Sequence, residues 1–462
     1  MTISKIPVWL DCDPGHDDTV ALLLALHHPS IDLIGVSTTH GNASLKNTTH
    51  NALSMMSVFN RDPNRKVPVY AGCISPLTRQ PNYAPGIHGA NGLGGIELPE
   101  PTQTTENEFG DEEAFLDALY EATKKYKGQL ALVPVGPLTN AARLFRKYPD
   151  ARENIKVLSI MGGGYNIGNI GDGAEFNIYD DATAANEIFT DLILAPKTVL
   201  VPLDVTHTVI CTDEIQDRIL EGGSPLRVML KDLMTFFADT YKKQQTQFAL
   251  GAPVHDPVAV YVLLEEYGID NVGIKAQKYA MSVIEQGPQE GKILFTPDEN
   301  GSKVVFGINV PKFWDDLLAA LAKADKQQTA LKGPETLSTA RGETERDSGC
   351  TDNEAFTEPR VRTSSQSPDY AVRRVGEEAW RGVRPMCLRY VYILSGNTNR
   401  FYRQVSRRCP CNVCLSARLI LAPSAKAVRL EAPDCREDLR LERSCAWLED
   451  ASLTMESAKK GR

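Results

Sequence analysis

Residues 6–18 read IPVWLDCDPGHDD, and this stretch decides how the chain folds. Its first part, residues 6–10, is a short apolar run of the kind that forms a buried strand. Four aspartates come next, and residues 17–28 have the apolar spacing of a helix that ends before Pro29. The stretch therefore predicts a buried strand whose carboxyl end carries a cluster of acidic side chains.

Short apolar runs and helical stretches continue to alternate along the chain. Alternation at this spacing predicts an α/β fold, an open, mostly parallel Rossmann-like sheet with helices on both faces. Strands are predicted at residues 6–10, 31–39, 66–70, 130–135, 157–161, 198–203, 279–285 and 304–310. Helices are predicted at residues 17–28, 42–59, 112–125, 138–147, 182–189, 225–250 (as one or two helices), 258–266 and 313–324.

Charge divides the 462 residues into two unlike parts. Residues 1–330 contain 27 Lys and Arg against 41 Asp and Glu, a net charge of −14, whereas residues 331–462 contain 23 against 18, a net charge of +5. All eight histidines precede residue 331, and seven of the ten cysteines follow it. We therefore predict one α/β domain over residues 1–330 and a separate tail over residues 331–462.

Composition excludes several classes of protein. A hydrophobic content of 42% and a charged content of 24% are ordinary for a globular chain and exclude a mostly disordered or collagen-like one. No apolar run approaches the ~18 residues that a bilayer crossing needs, and the apolar start runs too soon into aspartates for a secretory signal. We expect no membrane partner and a cytoplasmic location, with access to the nucleus left open.

The four aspartates of residues 11–18 allow two interpretations. A solvated loop tolerates their mutual repulsion, and aspartate at a helix start is favoured by the helix dipole. Four carboxylates exceed what capping requires, however. A hard cation such as Ca²⁺ or Mg²⁺ would relieve the repulsion, because both ions prefer oxygen ligands.

Polar residues also follow other predicted strands, at residues 39–42, 135–140 and 161–165. Ligands of parallel sheets bind outside the carboxyl ends of the strands, so these segments are expected to meet. His255-Asp256-Pro257 begins a predicted helix, where aspartate as cap and proline in the first turn are also a purely structural pattern. His88 lies in the Gly-rich stretch 86–95, which is typical of an active-site lid but also of an ordinary surface loop.

Residues 11–18 resemble the signature of the inosine-uridine-preferring nucleoside hydrolases. Further segments resemble the same family in the same order, at residues 40–42, 86–89, 136–140, 161–164, 175–177 and 255–257. The similarity runs from about residue 6 to residue 326, and residues 4–7 and 83–85 are most similar to the fungal uridine nucleosidases of that family. The resemblance implies hydrolysis of the N-glycosidic bond of ribonucleosides, uridine among them, to ribose and free base.

The resemblance also implies a metal centre and a set of catalytic residues. Asp13, Asp18 and Asp256 would hold a Ca²⁺ ion through their carboxylates, and Val135 through its backbone carbonyl. A Ca²⁺-bound water would be the nucleophile, with Asp13 as general base, and His255 would assist the departure of the base. An acidic domain suits this reaction, because glycosidic cleavage passes through a cationic, oxocarbenium-like transition state.

The same comparison implies a substrate site. His88 would approach the base from the mobile loop. The residues implied to contact ribose are Asp17, Asn42, Met161, Asn169, Glu175 and Asn177. Family members are usually dimers or tetramers, so a homo-oligomer is expected.

Two other functions remain open at this stage. Aspartates after a first strand also occur in haloacid-dehalogenase-type phosphatases, but these usually have Thr or Val where this chain has Gly15, and Asp17 and Asp18 would be unexplained. A catalytically silent binder of nucleosides or Ca²⁺ is the other alternative. A reducing-sugar assay with uridine and inosine distinguishes all three.

The tail, residues 331–462, does not continue the sequence pattern of this domain. Residues 332–368 are rich in Thr, Ser, Glu, Pro and Gly, which predicts a linker or disordered segment. The spacing of Cys409, Cys411 and Cys414 allows a zinc site, and the arginines allow nucleic-acid binding, although acidic residues are interspersed and we expect no nucleic-acid partner. The preferred interpretation is a poorly structured tail, or one translated from non-coding sequence.

Overall fold

The computed structural model describes residues 5–331, apart from residues 61 and 63, and three short segments at 404–408, 414–421 and 428–431. The chain divides into two units, Met1–Arg341 and Gly342–Arg462. No helix in the described part of the chain has the combination of length and apolarity that crossing a bilayer requires.

The first unit contains eleven strands among its described residues. They are β1 (Ile6–Cys12), β2 (Ile31–Thr38), β3 (Val69–Ala71), β4 (Ala131–Pro134), β5 (Val157–Met161), β6 (Thr198–Val201), β7 (Ile210–Thr212), β8 (Gly251–Pro253), β9 (Lys275–Val283), β10 (Ile293–Pro297) and β11 (Ser302–Gly307). Nine of them form one sheet in the order β10-β9-β11-β6-β5-β4-β1-β2-β3, and β7 pairs with β8 separately.

The seven strands from β11 to β3 in this order are all parallel. The predicted α/β class and mostly parallel sheet are therefore confirmed. The strand predicted at 66–70 begins later, at Val69, and the polar stretch between the two last predicted strands contains a strand that the sequence analysis missed, β10. It pairs antiparallel with β9, which itself pairs antiparallel with β11.

Helices cover both faces of the sheet, as predicted. Their bounds are α1 (His16–His27), α2 (Leu45–Phe59), α3 (Pro85–His88), α4 (Glu112–Lys125), α5 (Thr139–Lys147), α6 (Ala151–Asn154), α7 (Phe176–Asp180), α8 (Ala182–Phe189), α9 (Leu203–Thr206), α10 (Asp213–Leu220), α11 (Pro225–Gln244), α12 (Asp256–Tyr261), α13 (Leu263–Glu266) and α14 (Val310–Leu331).

Strand β1 is buried along its whole length and contributes to two hydrophobic cores. Side chains alternate across a strand, so Val8 and Leu10 enter the core formed with α1, α11 and α14, whereas Trp9 enters the core formed with α4, α5 and α8. A strand covered on both faces has a nearly continuous apolar sequence, which explains why residues 6–10 contain no polar position.

The sheet places a crevice at the carboxyl ends of β1 and β4. These strands are neighbours, but the chain proceeds from β1 outward to β2 and β3, and from β4 in the opposite direction to β5 and β6. The connections therefore diverge on opposite faces at this point, and a groove remains between them. This topological switch point is where open parallel sheets bind ligands.

The described part of the second unit consists of three strands, β12 (Gln404–Arg408), β13 (Cys414–Leu421) and β14 (Val428–Glu431). They form an antiparallel sheet with β13 in the centre. The linker predicted at 332–368, and the tail cysteines apart from the backbone of Cys414, lie outside the described residues.

Candidate active site

One cleft at the switch point gathers most of the residues that the sequence singled out. Its volume is about 150 Å³. Ten of the twelve predicted site residues line it, namely Asp17, Asn42, His88, Val135, Met161, Asn169, Glu175, Asn177, His255 and Asp256. The other two, Asp13 and Asp18, are fully buried and are linked to the cleft through Asn42.

The turn between β1 and α1 is closed by Asp18. Its carboxylate accepts hydrogen bonds from the backbone N–H groups of Asp13 at 3.0 Å and Gly15 at 2.9 Å. Backbone N–H groups at a helix start have no partner within the helix, so a carboxylate three residues into the turn stabilises it. The structural interpretation of Asp18 is therefore correct as far as it goes, but it does not account for the other aspartates.

Three carboxylates meet beside this turn. One oxygen each of Asp17, Asp18 and Asp256 lies within 4.8 Å of the other two. Burial, followed by the nearby charge of Asp18, raises the pKa of Asp17 to about 8, and burial followed by the charges of Asp17 and Asp18 raises the pKa of Asp256 well above its ordinary value. Without a cation, burial and the repulsion between like charges favour the protonated forms of these groups.

Asp13 lies next to this cluster, and the backbone around its carboxylate encloses it tightly. The backbone N–H of Asn42 donates to its Oδ2 at 2.6 Å. A Cβ atom at Gly41 or Gly136 would lie 2.1 Å from Oδ2 or 2.5 Å from Oδ1, so only glycine leaves room for the carboxylate at these two positions. Its Oδ1 is buried and has no hydrogen-bond partner among the described residues. A buried oxygen of this kind is suited to a metal ion or a ligand.

The opposite wall of the cleft is built around Glu175 and Asn177. Glu175 caps α7 by accepting from the N–H groups of Asn177 and Ile178, and it also accepts from Gly163 at 2.8 Å. Burial outweighs these three bonds and raises the pKa of Glu175 to about 7. The amide of Asn177 donates to the Val135 carbonyl at 2.8 Å, which links the ends of β4 and α7.

The loop between β5 and α7 carries Asn169 to the cleft. Asp204 at the start of α9 anchors this loop by accepting from the N–H groups of Tyr165 at 2.7 Å and Asn166 at 3.0 Å. Asn169 in turn accepts from the N–H of Phe176 at 3.0 Å. Asp204 therefore positions a predicted ribose-binding residue without lining the cleft itself.

Two histidines occupy the remaining wall. His255 is buried between two hydroxyls, with its Nδ1 2.7 Å from Thr206 and its Nε2 2.9 Å from Tyr241. Burial lowers the pKa of both His88 and His255 well below the ordinary value, which favours the neutral form of each ring in the free protein. Both histidines line the same cleft.

Several residues of the site were missed by sequence reasoning. Tyr241, Gln244 and Gln245 line the cleft from α11 and the residue after it. Tyr241 follows Phe237 by four residues on the buried face of the helix, and a hydroxyl on an otherwise apolar face was a signal that could have identified it. Thr206 offers no such signal, because an isolated threonine is common in any helix.

A second layer of polar residues supports the site from below. Asp11 accepts from Ser37 at 2.5 Å and from the amide of Asn140 at 2.6 Å, which ties β1 to β2 and to α5. His40 lies between Asp180 at 2.9 Å and Thr139 at 3.1 Å, with His40 and Asp180 both completely buried. Such networks fix the loops after β1 and β2 relative to each other.

The donor set defines the chemistry that this cleft can perform. Carboxylate and carbonyl oxygens on one side suit a hard cation, and neither cysteine sulfur nor histidine nitrogen belongs to the cluster of three carboxylates. Amides and a carboxyl on the other side suit a ligand rich in hydroxyl groups. Neutral histidines and a tyrosine suit a heterocyclic ring that accepts hydrogen bonds or a proton.

Comparison with known proteins agrees with this chemistry. Residues 8–315 match the family model described as inosine-uridine preferring nucleoside hydrolase. The chain is 40% identical to the uridine nucleosidase of Saccharomyces cerevisiae over 345 residues, which cover 71% of this chain and 99% of that protein. It is 35% identical to the pyrimidine-specific ribonucleoside hydrolase RihB of Escherichia coli over 321 residues, 68% of this chain and 96% of that protein.

A solved structure shows the same fold. The purine-preferring ribonucleoside hydrolase from Gardnerella vaginalis superimposes with a TM-score of 0.62 at 27% identity, covering 69% of this chain and 99% of that one. The family resemblance inferred from the aspartate signature is thereby confirmed. The chain belongs to the inosine-uridine preferring nucleoside hydrolase family, and it is a nucleoside hydrolase.

Proposed function

We propose that this enzyme hydrolyses uridine and related pyrimidine ribonucleosides with the help of a bound Ca²⁺ ion, giving ribose and the free base. One observation carries the proposal: a cluster of buried carboxylates, of which Asp17 and Asp256 line the cleft, lies next to the unpartnered Oδ1 of Asp13, and the other side of the cleft carries amides, a carboxyl and two histidines. Uridine is favoured because the yeast relative is a uridine nucleosidase and the bacterial one is pyrimidine-specific.

We assign the cation to Asp13, Asp18, Asp256 and the carbonyl of Val135. Enzymes of this family are metal-dependent, and the oxygen-only donor set fits Ca²⁺. The Val135 carbonyl already accepts from Asn177, but a carbonyl has a second lone pair for an ion. When bound, such a cation acidifies water and orients hydroxyl ligands. It would also allow the carboxyls to lose their protons.

Asp13 is the general base of the proposed reaction. Asn42 occupies one of its carboxylate oxygens, and Oδ1 remains for the proton of the attacking water. In the metal-free protein, burial followed by the nearby charge of Asp18 raises the pKa of Asp13 well above that of an ordinary aspartate. The close walls of Gly41 and Gly136 hold the carboxylate in one orientation, so little rearrangement is needed in the transition state.

The ribose is held by the acidic and amide side chains around the cleft. The amide nitrogen of Asn42 is engaged by Asp13 and Asp18, and that of Asn177 by Val135 and Met161, so in both residues Oδ1 is the atom offered to a hydroxyl. Asp17, Asn169 and Glu175 complete the proposed contacts. Positive charge that develops on the ribose ring in the transition state is stabilised by these carboxylates.

The base leaves toward His88, His255 and Tyr241. A departing base needs a proton or a hydrogen-bond donor, and a histidine N–H can act as either. The hydroxyl of Tyr241 and that of Thr206 hold the His255 ring from both sides, so its orientation is fixed before the substrate binds.

A kinetic panel with uridine, cytidine, inosine and adenosine tests the proposal, with the metal content measured on the same sample. We expect uridine to be the best substrate, chelation to abolish turnover and Ca²⁺ to restore it. Asp13→Ala should lower kcat by at least about 10³-fold, because it removes the base and a cation ligand together. Asp172→Ala, at an exposed carboxylate on the loop before α7, is the matched control.

Three outcomes would contradict parts of this proposal. A preference for inosine would overturn the pyrimidine assignment, Ca²⁺ binding without sugar release would indicate a silent binder, and near-normal activity of Asp13→Ala would overturn the assignment of the base. Release of phosphate from phosphate esters would point to the alternative phosphatase function.

We further propose that the enzyme is a cytoplasmic homo-oligomer, a dimer or tetramer. The three buried cysteines of its described residues, Cys12, Cys73 and Cys211, are free thiols, which suits a reducing compartment. Light scattering on the full chain measures the assembly, and a single monomeric mass at micromolar concentration would contradict it.

A further inference from the structure

His16 belongs to the aspartate signature but has no role in the function proposed above. It is the first residue of α1 and is completely buried. Its ring is stacked against Phe236 and Phe237 of α11, with centroids 5.3 and 5.0 Å away and ring planes within 6° and 2° of parallel. This stacking fixes the plane of the ring, so its two nitrogens point in defined directions.

Both nitrogens meet the same loop. Nε2 lies 3.0 Å from the carbonyl oxygen of Gly94, and Nδ1 lies 3.3 Å from Nδ1 of His88. A carbonyl oxygen only accepts, so Nε2 of His16 carries the proton. In a neutral ring Nδ1 then has a free lone pair, and the hydrogen bond between the two rings requires a proton on Nδ1 of His88.

The backbone N–H of His16 requires the opposite protonation state at Nδ1 of His88. It also lies 3.3 Å from Nδ1 of His88, where it needs a lone pair rather than a proton. The two contacts thus favour different tautomers of His88. The ring contact requires a proton on Nδ1 of His88, and in that tautomer the backbone N–H of His16 is one of the unpaired N–H groups that a helix start has. The ring of His88 also lies close to the backbone of Gly15, where a Cβ atom would be only 2.4 Å from Nδ1 of His88.

We propose that His16 is a positioning residue for His88: its ring accepts the Nδ1 proton of His88 and leaves Nε2 as the nitrogen that delivers a proton to the departing base. This inference rests on the proposed function, in which His88 meets the base. His16 itself does not touch the substrate, because Phe236, Phe237, Gly94 and His88 surround its ring.

Proton transfer from His88 to the base leaves His88 in the tautomer that His16 binds. When the glycosidic C–N bond breaks, its electron pair goes to the base, and Nε2 of protonated His88 gives its proton to that base. His88 is left neutral with its proton on Nδ1, which is the form that His16 binds. Solvent then returns a proton to Nε2, and Nδ1 keeps its proton throughout the cycle.

The test compares two substrates in the variant His16→Phe, which keeps the stacking but removes both nitrogens. Uridine needs a proton on its leaving group, whereas 4-nitrophenyl β-ribofuranoside releases nitrophenolate, which leaves unprotonated. We expect kcat for uridine to fall by about 10²-fold, the usual range for loss of acid catalysis, and kcat for the nitrophenyl riboside to change by less than about threefold. His16→Gln, whose amide oxygen can accept the same proton, should recover part of the uridine rate.

His27→Phe is the matched control. His27 is also buried and lies at the other end of α1, where its Nε2 contacts the Phe59 carbonyl at 3.0 Å. We expect no difference between the two substrates in this variant. If His16→Phe does not fold, the smaller His16→Leu replaces it in the same comparison.

A double variant tests whether His16 affects the uridine rate through His88 or independently of it. If His16 acts through His88, His16→Phe/His88→Phe should be no slower on uridine than His88→Phe alone. Equal losses on both substrates, an unchanged uridine rate, or additive losses in the double variant would each overturn the role of His16. Any of these three results leaves the proposed function intact, provided that the wild type cleaves both substrates and Asp13→Ala cleaves neither. If the wild type cleaves neither substrate, both the role of His16 and the proposed function are overturned.

Discussion

At the scale of single residues, the site depends on keeping several carboxyl groups buried and close together. The structure does so by surrounding them with backbone donors and by leaving out side chains. Asp18 receives two backbone N–H groups, and Asp13 receives one and lies between two glycines. Burying these acids costs stability in a metal-free protein, because burial opposes their charged form.

Gly136 should be as important for activity as a catalytic side chain. In Gly136→Ala the new Cβ would lie 2.5 Å from Oδ1 of Asp13, so the carboxylate must move. We expect kcat for uridine to fall by about 10²-fold, since a displacement of about 1 Å in a catalytic group has an effect of this size. Steady-state kinetics on the purified variant measure it.

Gly307→Ala is the control for this substitution. There the nearest atoms to a new Cβ belong to the flexible Lys275 side chain, at 3.4 Å or more. Its kinetics should equal those of the wild type. Unchanged kcat in Gly136→Ala would show that the carboxylate of Asp13 tolerates another position.

At the scale of the elements, loops after the strands carry the substrate residues, and each loop is anchored by a residue outside the cleft. The loop after β5 is the clearest case. It contains three consecutive glycines, so ordering it costs much conformational entropy. Asp204 offsets this cost by accepting two hydrogen bonds from backbone N–H groups and one from the side chain of Asn166 at 2.9 Å.

Removing this anchor should weaken substrate binding more than catalysis. In Asp204→Ala the loop would become ordered only when ribose binds, so part of the binding free energy is consumed. We expect KM for uridine to rise by about tenfold, which corresponds to about 1.4 kcal/mol, and kcat to change much less. Asp172→Ala, on the same loop but exposed, should leave KM unchanged, and a parallel loss of kcat in Asp204→Ala would contradict an anchoring role.

Helix α1 provides a prediction about pH. His27 lies in its last turn, where the helix dipole favours a cation, yet burial and the nearby charges of Lys323 and Arg65 lower its pKa from 6.5 to about 4. Because the folded pKa is below the unfolded one, the stability contributed by neutral His27 is present above pH 6.5 and is lost as the pH falls toward 4.

Urea denaturation of the wild type and His27→Phe at pH 7.5 and 4.5 measures this contribution. Between these pH values the wild type should lose about 2 kcal/mol more of its free energy of unfolding than the variant. The comparison between the two proteins cancels the other buried histidines. Identical pH dependences would show that His27 is protonated at no cost in the folded protein.

At the scale of the whole molecule, the first unit contains everything that the proposed reaction uses. The site residues lie between Asp13 and Asp256, and α14 completes the core against α1, with Phe313, Leu317 and Leu321 buried. We therefore predict that a chain ending at Leu331 has a kcat/KM for uridine within about twofold of the full chain.

A second truncation is the control for this experiment. A chain ending at Gly307 lacks α14 and would expose the apolar core that the helix covers, so we expect it to unfold or aggregate. If the chain ending at Leu331 were folded but lost more than about tenfold in kcat/KM, residues 332–462 would contribute to activity.

The sequence alone was sufficient for the fold class, the acidic signature and ten of the residues that line the cleft, because strand and helix periodicities are local and the signature is contiguous. Local patterns could not find β10, whose residues pair with Tyr279–Val283 ten to eighteen positions earlier in the chain. They also could not find the contacts of Tyr241 and Thr206 with His255. They also could not show that Gly41 and Gly136 enclose Asp13. These features depend on which strands become neighbours, and that order is decided by the packing of the two cores on the sheet, so only the tertiary structure brings the distant residues together.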